Sequence, residues 1–383
     1  MTRNFYLYIG LSIYLILRFI LPAKLNIIIK ILLSGTFLFA SQMHRVYTRF
    51  GGTWFSPEFP RIVLIIYPWL FAGVGILTII TIIKDIILIL KLLLTLILMP
   101  FGKKIPVLIS PQKVTIFMLV FSFSLSGFGV WQGIKVPNVK VQEVYFDKLP
   151  KELDGITMVL IADLHASALN TRPLVQGIVD KTNNLNPDLI VFNGDMVDGT
   201  VEKRSDAVDP LRQLEAKYGV YGSTGNHEYY VDHEKWLKKF EELGIKILGN
   251  SHENISINGK ILTLVGVYDE IGTRMGKRGP DIKAATRGIN RDNLTILLEH
   301  RPVNAVNNSK HNIDLQLSGH THGGMVIGLD RVVADRNGGF VSRWYDVGQM
   351  KLYVSNGTSL WCGFPIRLGV PSEITQFIFR STE

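Results

Sequence analysis

The sequence predicts an N-terminal transmembrane helical bundle followed by a layered α/β domain with at least one sheet buried on both faces. Two observations carry this. Residues 1–132 hold long apolar runs with few charges, whereas the rest alternates short β-branched runs with helical patterns and holds most of the charge. The whole chain, 383 residues, is 47% hydrophobic and 19% charged, too apolar for an ordinary soluble protein and too charged for a membrane bundle alone. The reading is a multi-span membrane domain over 1–132, a linker and edge strand over 133–150, and a second domain over 151–383.

A spanning helix needs about 20 mostly apolar residues. Phe5–Leu21, Leu25–Ala40, Ile62–Ile82 and Val114–Val130 satisfy this, and Ile86–Met99, shorter and interrupted by Lys91, is a fifth candidate with an interfacial helix as its alternative. Phe5–Leu21 does not read as a cleavable signal, because no small-residue cleavage site follows it and further apolar spans do. With five spans, Arg3, Arg45, Arg49, Arg61, Lys103, Lys104 and Lys113 fall on one side, against Lys24 and Lys84 on the other. Loop cations mark the cytoplasmic side. The expectation is therefore a multi-pass cell-membrane protein whose second domain lies on the outer side, an inference that reverses if Ile86–Met99 does not cross. Arg18, Lys30 and Lys91 read as side chains snorkelling to the interface, and His44 as a plain loop residue.

The formal charge of +9 suits a lipid bilayer with anionic headgroups or a phosphorylated substrate. No Lys/Arg run interleaved with aromatics occurs, so nucleic acid is not expected as a partner. Cys362 is the only cysteine, which excludes an internal disulfide and leaves the redox compartment open.

In the second half the spacing predicts strands at Ile156–Ala162, Leu189–Asn193, Gly219–Ser223, Ile245–Leu248, Ile261–Val265, Leu294–Leu298, Leu315–Ser318, Lys351–Val354 and Ile374–Phe379. It predicts helices at Arg172–Asn184, Val208–Lys217, Asp232–Leu243, Asp281–Ile289 and Val303–Ser309.

The polar residues fall at strand ends. Asp163-Leu164-His165, Gly194-Asp195-Met196-Val197-Asp198, Gly225-Asn226-His227-Glu228, His300 and Gly319-His320-Thr321-His322 each follow a predicted strand. Ligands collect outside the carboxyl ends of strands in α/β sheets, so these groups can converge. Glycines beside Asp195, Asn226 and His320 allow sharp turns and leave room. Asp, His and Asn together are ligands for divalent cations such as Mn, Fe, Zn or Mg. A close pair of such cations clamps the attacking and leaving oxygens of a phosphoryl transfer and activates water, and a carboxylate is the best bridge between them.

These motifs, in this order and with His300-x-Pro302, resemble those of the calcineurin-like metallophosphoesterases. The tail from Val354-Ser355-Asn356-Gly357 through Pro365-Ile366-Arg367 to Glu373-Ile374 is similar to that of membrane-associated bacterial members. The resemblance implies an α/β/β/α sandwich and two divalent cations per chain. It implies Asp163, His165 and His322 at the first metal, Asn226, His300 and His320 at the second, and Asp195 as the bridge. It makes His227 the catalytic histidine that donates a proton or stabilises charge at the phosphate, and Asp198 a support for neighbouring ligands. Two positions depart from the family pattern. Glu228 stands where Asp is usual, which puts the orientation of His227 in question, and Met325 stands where Gln is frequent, which removes a hydrogen-bonding side chain.

His233, His252 and His311 lack motif context and read as ordinary polar residues, and Asp198 alone could simply cap a helix over Val201–Ala207. Arg301 and Arg367 suit either a phosphate or a salt bridge. The leading expectation is a membrane-anchored hydrolase of a phosphomonoester, phosphodiester or pyrophosphate bond, with a lipidic or cell-envelope phosphoester in view. The alternatives are an inactive scaffold or sensor attached to the bundle, which the intact ligand set opposes, and transport by the spans, which their few ionisable residues oppose.

Overall fold

The computed structural model describes residues 2–101 and 110–382, in two compact units, Met1–Trp131 and Gln132–Glu383. Lys103 and Lys104 of the predicted cation-rich loop lie outside the described residues, as does the Arg3 side chain.

The first unit is helical: α1 (Thr2–Leu15, running on through a wider turn to Ile20), α2 (Ile27–Ser41), α3 (Met43–Phe50) and α4 (Arg61–Leu98), with α5 (Pro111–Ile134) leading out of it. Here one expectation is corrected. Ile62–Ile82 and Ile86–Met99 are not separate segments, because α4 runs unbroken for 38 residues through Lys84 and Asp85. Neither residue breaks a helix, and Asp85 is drawn inward instead: Arg18 donates to it from Nε (2.7 Å) and Nη2 (3.0 Å), and Tyr14 from its hydroxyl (2.8 Å). Arg18 is thus paired rather than snorkelling alone. Gln112–Ile134 is long and apolar enough to cross a membrane, and α2 and α3, bent by 65°, meet the same requirement if they form one crossing. Ile86 to Leu90 are all about half-exposed, as a helix in apolar surroundings would be.

The second unit holds two six-stranded sheets. The strands are β1 (Asn138–Phe146), β2 (Thr157–Ile161), β3 (Leu189–Asn193), β4 (Val220–Ser223), β5 (Ile245–Ile247), β6 (Ser251–Ile257), β7 (Lys260–Gly266), β8 (Leu294–Leu298), β9 (Leu315–Ser318), β10 (Arg343–Val347), β11 (Met350–Val354) and β12 (Glu373–Ser381). One sheet runs β1-β12-β2-β3-β4-β5, the other β10-β11-β9-β8-β7-β6. β2 to β5 are mutually parallel, as are β7, β8, β9 and β11, so each set points its carboxyl ends one way.

The alternation of side chains explains the layering. Met158 and Leu160, Leu189 and Val191, Leu294 and Ile296, and Leu315 and Leu317 fill one core between the sheets. Their neighbours Val159, Ile161, Ile190 and Phe192 face outward instead, onto α6 (Arg172–Asn183) through Val175, Ile178 and Val179 and onto α9 (His233–Glu242) through Trp236 and Phe240. Leu297, Leu352 and Val354 pack with Ala285 and Ala305 on the outer face of the second sheet. Strands covered on both faces read as continuous apolar runs, which is why they were easily found.

Elsewhere the prediction needed correction. The helix expected at Val208–Lys217 lies earlier, as α7 (Val201–Val208), because the Thr200 hydroxyl caps it by accepting from Lys203 N (3.3 Å), while Pro210 opens a separate 3₁₀ turn over Asp209–Gln213. Only one-turn helices, Ile282–Ala285 and Ala305–Asn308, form within the two later predicted helices, and α8 (His227–Tyr230) is equally short. β6 and β10 were not predicted. Both are sheet-edge strands, and polar residues such as Ser251, His252, Glu253 and Asn254 hide the period-two pattern there.

Candidate metal centre

The loops after β2 and β3 run side by side: Asp163 N donates to Gly194 O (3.2 Å), His165 N to Asp195 O (2.9 Å) and Ala166 N to Met196 O (3.0 Å). Asp163, His165, Asp195, His320 and His322 all have left-handed φ, between 46° and 68°. Such backbone is uncommon away from glycine and collects at functional sites. Gly194 shares it (φ 71°), whereas Gly225 is required for space, since a Cβ there would lie 2.2 Å from Asp195 Oδ1.

The turns bring together the residues expected from the sequence. Asp163, His165 and His322 form one group able to hold a cation, Asp195, His300 and His320 a second, and His165, Asp195 and His227 a third between them. His300 Nε2 lies 3.2 Å from Asp195 Oδ2, and His322 Nε2 3.7 Å from Asp163 Oδ1, so the carboxyl ends of both sheets meet here. Asp163 also accepts from His320 N (3.0 Å). Asn226, next to His227 in the chain, has its Oδ1 buried and without a hydrogen-bond partner while its Nδ2 donates to Tyr230 Oη (3.2 Å).

Asp198 holds two rings at once. Its Oδ1 lies 2.9 Å from His165 Nδ1 and 2.6 Å from His227 Nδ1. Donation from each Nδ1 leaves each Nε2 facing the centre with a lone pair or a proton to use. Asp198 is therefore not a helix cap, a role that Thr200 fills. His300 is fixed the same way, its Nδ1 2.9 Å from the Asn193 carbonyl.

Burial opposes ionisation throughout, and the neighbours decide each outcome. Burial raises the Asp163 carboxyl, and Asp195 adds to the push. Burial acts on Asp195 as well, but His300, His227 and His165 hold it well below the usual carboxylate range. His227 is driven down by burial yet held up at about 9 by Asp195 and Asp198, and His300 at about 10, chiefly by Asp195. Burial together with nearby cations keeps His320 and His322 well below the ordinary value, hence neutral. A neutral imidazole in each group, with the anionic Asp195 between the groups, suits divalent cations.

Three further charged residues find their partners here, and for Arg301 the salt bridge is one of the two roles its sequence left open. Glu228 binds backbone: its buried carboxylate accepts from Gly225 N (2.7 Å), Met196 N (2.6 Å), Asp195 N (3.1 Å) and Val197 N (3.4 Å), and so holds the turn that carries Asp195. Arg301 is tied to Asp269 (2.9 Å). Arg367, 1% exposed, meets no carboxylate; it donates to the carbonyls of His322 (3.1 Å), Asn356 (2.6 Å), Ser359 (3.1 Å) and Val370 (3.2 Å). No residue pattern pointed to Trp361, whose ring lies 5.1 Å from that of His322 and borders the centre.

Comparison with known proteins agrees with this geometry. Residues 156–324 match the family model of calcineurin-like phosphoesterases. An uncharacterized metallophosphoesterase of Helicobacter pylori is 34% identical over 261 residues, 67% of this chain and 68% of its own length. One of Campylobacter jejuni is 31% identical over 268 residues, 68% of this chain and 69% of that one. A transmembrane protein with metallophosphoesterase domain from Danio rerio is 32% identical over 275 residues, 70% of this chain but only 62% of the relative.

Proposed function

Because the chain belongs to the calcineurin-like metallophosphoesterase family, we propose that it is a membrane-anchored, dinuclear metal-dependent hydrolase of a phosphomonoester, phosphodiester or pyrophosphate bond. The observation that carries this is the centre itself: adjoining Asp/His groups able to hold cations, sharing Asp195, with the Asn226 oxygen beside them unpartnered. Asp163, His165 and His322 would hold one divalent cation and Asn226, His300 and His320 the other, with Asp195 between them. When bound, such a pair supplies an activated water and charge neutralisation at the phosphate. The chain's own residues do the rest. Asp198 fixes His165 and His227 through their Nδ1 atoms, and His227 Nε2, 3.9 Å from Asp195 Oδ2, donates a proton or stabilises charge at the leaving oxygen. Glu228 holds the Asp195 turn, and Arg367 holds the carbonyl of His322.

Membrane anchoring rests on the apolar helices and on the transmembrane name of the Danio rerio relative. With α4 a single helix, the basis for five crossings and an outer-side domain is gone. Crossings by α1, α2, α4 and α5 would return the chain to the side of the Ser41–Arg61 loop, whose Arg45, Arg49 and Arg61 favour the cytoplasm. Protection of the domain from protease in intact cells supports that side, and cleavage there refutes it.

The test of the activity is turnover by the purified chain on a panel of phosphomonoesters, phosphodiesters and pyrophosphates under Mn, Fe, Zn and Mg in turn. Metal-dependent release of phosphate or its ester is expected for at least one substrate class. No turnover above an Asp195→Asn background under any metal would favour the scaffold or sensor reading.

A further inference from the structure

The metal centre lies at the carboxyl ends of the strands. A second cleft, of about 510 Å³, opens at the opposite ends of β8, β9 and β11. Each of these strands is only four or five residues long, so the two sites are separated by about 15 Å of packed sheet. The lining of the cleft is polar and carries an excess of positive charge. Lys148, Arg291, Lys310 and His311 face it, with the amides of Asn312 and Gln349 among them.

The lining holds one carboxylate, Asp314, and it is already engaged. Lys148 Nζ sits 3.0 Å from it, and Thr295 N donates to it at 2.8 Å. Arg291 and Lys310 are exposed, and neither side chain forms an ion pair with another described residue. Asn312 Nδ2 donates to the Arg291 carbonyl (3.4 Å) and so ties the loop before β8 to the loop before β9. Two uncompensated cations in a concavity focus an attractive field on an anion more strongly than the same charges on a flat surface. Arg291 can present a bidentate fork to a phosphate and Lys310 a mobile point charge.

The volume falls in the range of small-ligand sites, about 300–1,000 Å³, and exceeds what a lone phosphate fills. Ile289 and Ile313 aside, the remaining wall offers amides and the hydroxyls of Thr286 and Ser309, which suits a ligand rich in hydroxyl groups. We propose that this cleft binds a phosphorylated sugar or polyol, its phosphate on Arg291 and Lys310 and its hydroxyls on Asn312 and Gln349. That chemistry is shared by free sugar phosphates and by the headgroups of inositol lipids.

The experiment is isothermal titration of the full chain in detergent, stripped of divalent metal, with inositol bisphosphate. Saturable binding that weakens with rising salt is expected. Arg291→Gln and Lys310→Gln should each weaken it about tenfold, the value of one charge-assisted hydrogen bond, and Lys310→Glu should abolish it. Asp195→Asn should leave it unchanged. Both cations are exposed, so circular dichroism of the variants should match the wild type. Repeating the titration in phosphatidylcholine nanodiscs with and without phosphatidylinositol phosphate identifies the source. Competition by the lipid assigns the headgroup, and its absence assigns the free sugar phosphate. No binding to the wild type, binding indifferent to both cations, or binding lost with Asp195→Asn would each overturn the proposal.

Discussion

Two clusters of charged and polar side chains, one in each unit, differ in how fully their atoms are partnered. In the helical unit, Asp85 receives both nitrogens of Arg18 and the hydroxyl of Tyr14, and both of its oxygens are used. In the catalytic unit, Asn226 Oδ1, His322 Nδ1 and Asp198 Oδ2 are buried without a hydrogen-bond partner. Leaving a buried polar atom unpartnered costs about 1–3 kcal/mol, so a fold keeps several together only where something else satisfies them. The first cluster is closed and structural. The second is open, and openness marks the site better than charge does.

Removing the charge at the centre of the open cluster should have the largest effect. Asp195→Asn keeps the volume but loses the anion that His300, His227 and His165 surround. Turnover should fall to background, with at least one cation retained less tightly when metal content is measured after dialysis. Wild-type turnover with both metals kept would show that the cluster does not need its bridge.

His227 tests whether the cluster divides into residues that hold cations and residues that act on substrate. His227→Ala should leave metal content near that of the wild type and lower turnover by about 10²–10⁴-fold, the usual worth of general acid catalysis. Loss of a metal instead would make His227 a ligand and erase the division.

The open cluster was legible because its residues sit in short motifs directly after apolar strands, and strands buried on both faces announce themselves. β3, β8 and β9 fall on the boundaries expected from the apolar runs. What holds the cluster was not legible. Glu228 accepts four backbone N–H groups and Arg367 donates to five carbonyls. Backbone partners leave no residue-type signature, so a charged side chain that binds them looks like any other. The closed cluster was hidden for a related reason: Arg18 and Asp85 lie 67 residues apart, and only the continuity of α4 brings Asp85 into place as part of a helix rather than a turn.

Arg367 should have an intermediate effect. Burial lowers its pKa to about 10, which still leaves it charged, and its hydrogen bonds reach the centre only through the His322 carbonyl and the Asn356–Ser359 loop. Arg367→Met strands those carbonyls and should destabilise the domain by about 3 kcal/mol, read as a lower urea midpoint. Turnover of the folded fraction should fall about tenfold, through kcat more than KM, because it is His322 that shifts. Arg367→Lys keeps the charge without the fork and should fall between. Equal losses in stability with unchanged kcat would make Arg367 a scaffold residue only.

The smallest effect on catalysis should come from the closed cluster, and that is the sharpest check on the contrast. Asp85→Asn leaves the Arg18 guanidinium without its anion, and because Arg18 is half-exposed the result should be a small fall in melting temperature rather than the full penalty of a buried pair. Replacing both partners, Arg18→Leu with Asp85→Leu, removes the stranded charge and should recover most of that loss, since apolar substitutes of similar size often match a buried ion pair. Thermal unfolding of the full chain in detergent, with turnover measured on the same samples below the transition, separates the two readouts. Stability should drop in the single variant and return in the double, while turnover per folded molecule stays within about twofold of the wild type, the scatter expected for distant, uncoupled sites. If turnover instead falls with Asp85→Asn and returns in the double variant, the closed cluster governs the open one, and satisfied hydrogen bonds would no longer distinguish structure from site in this chain.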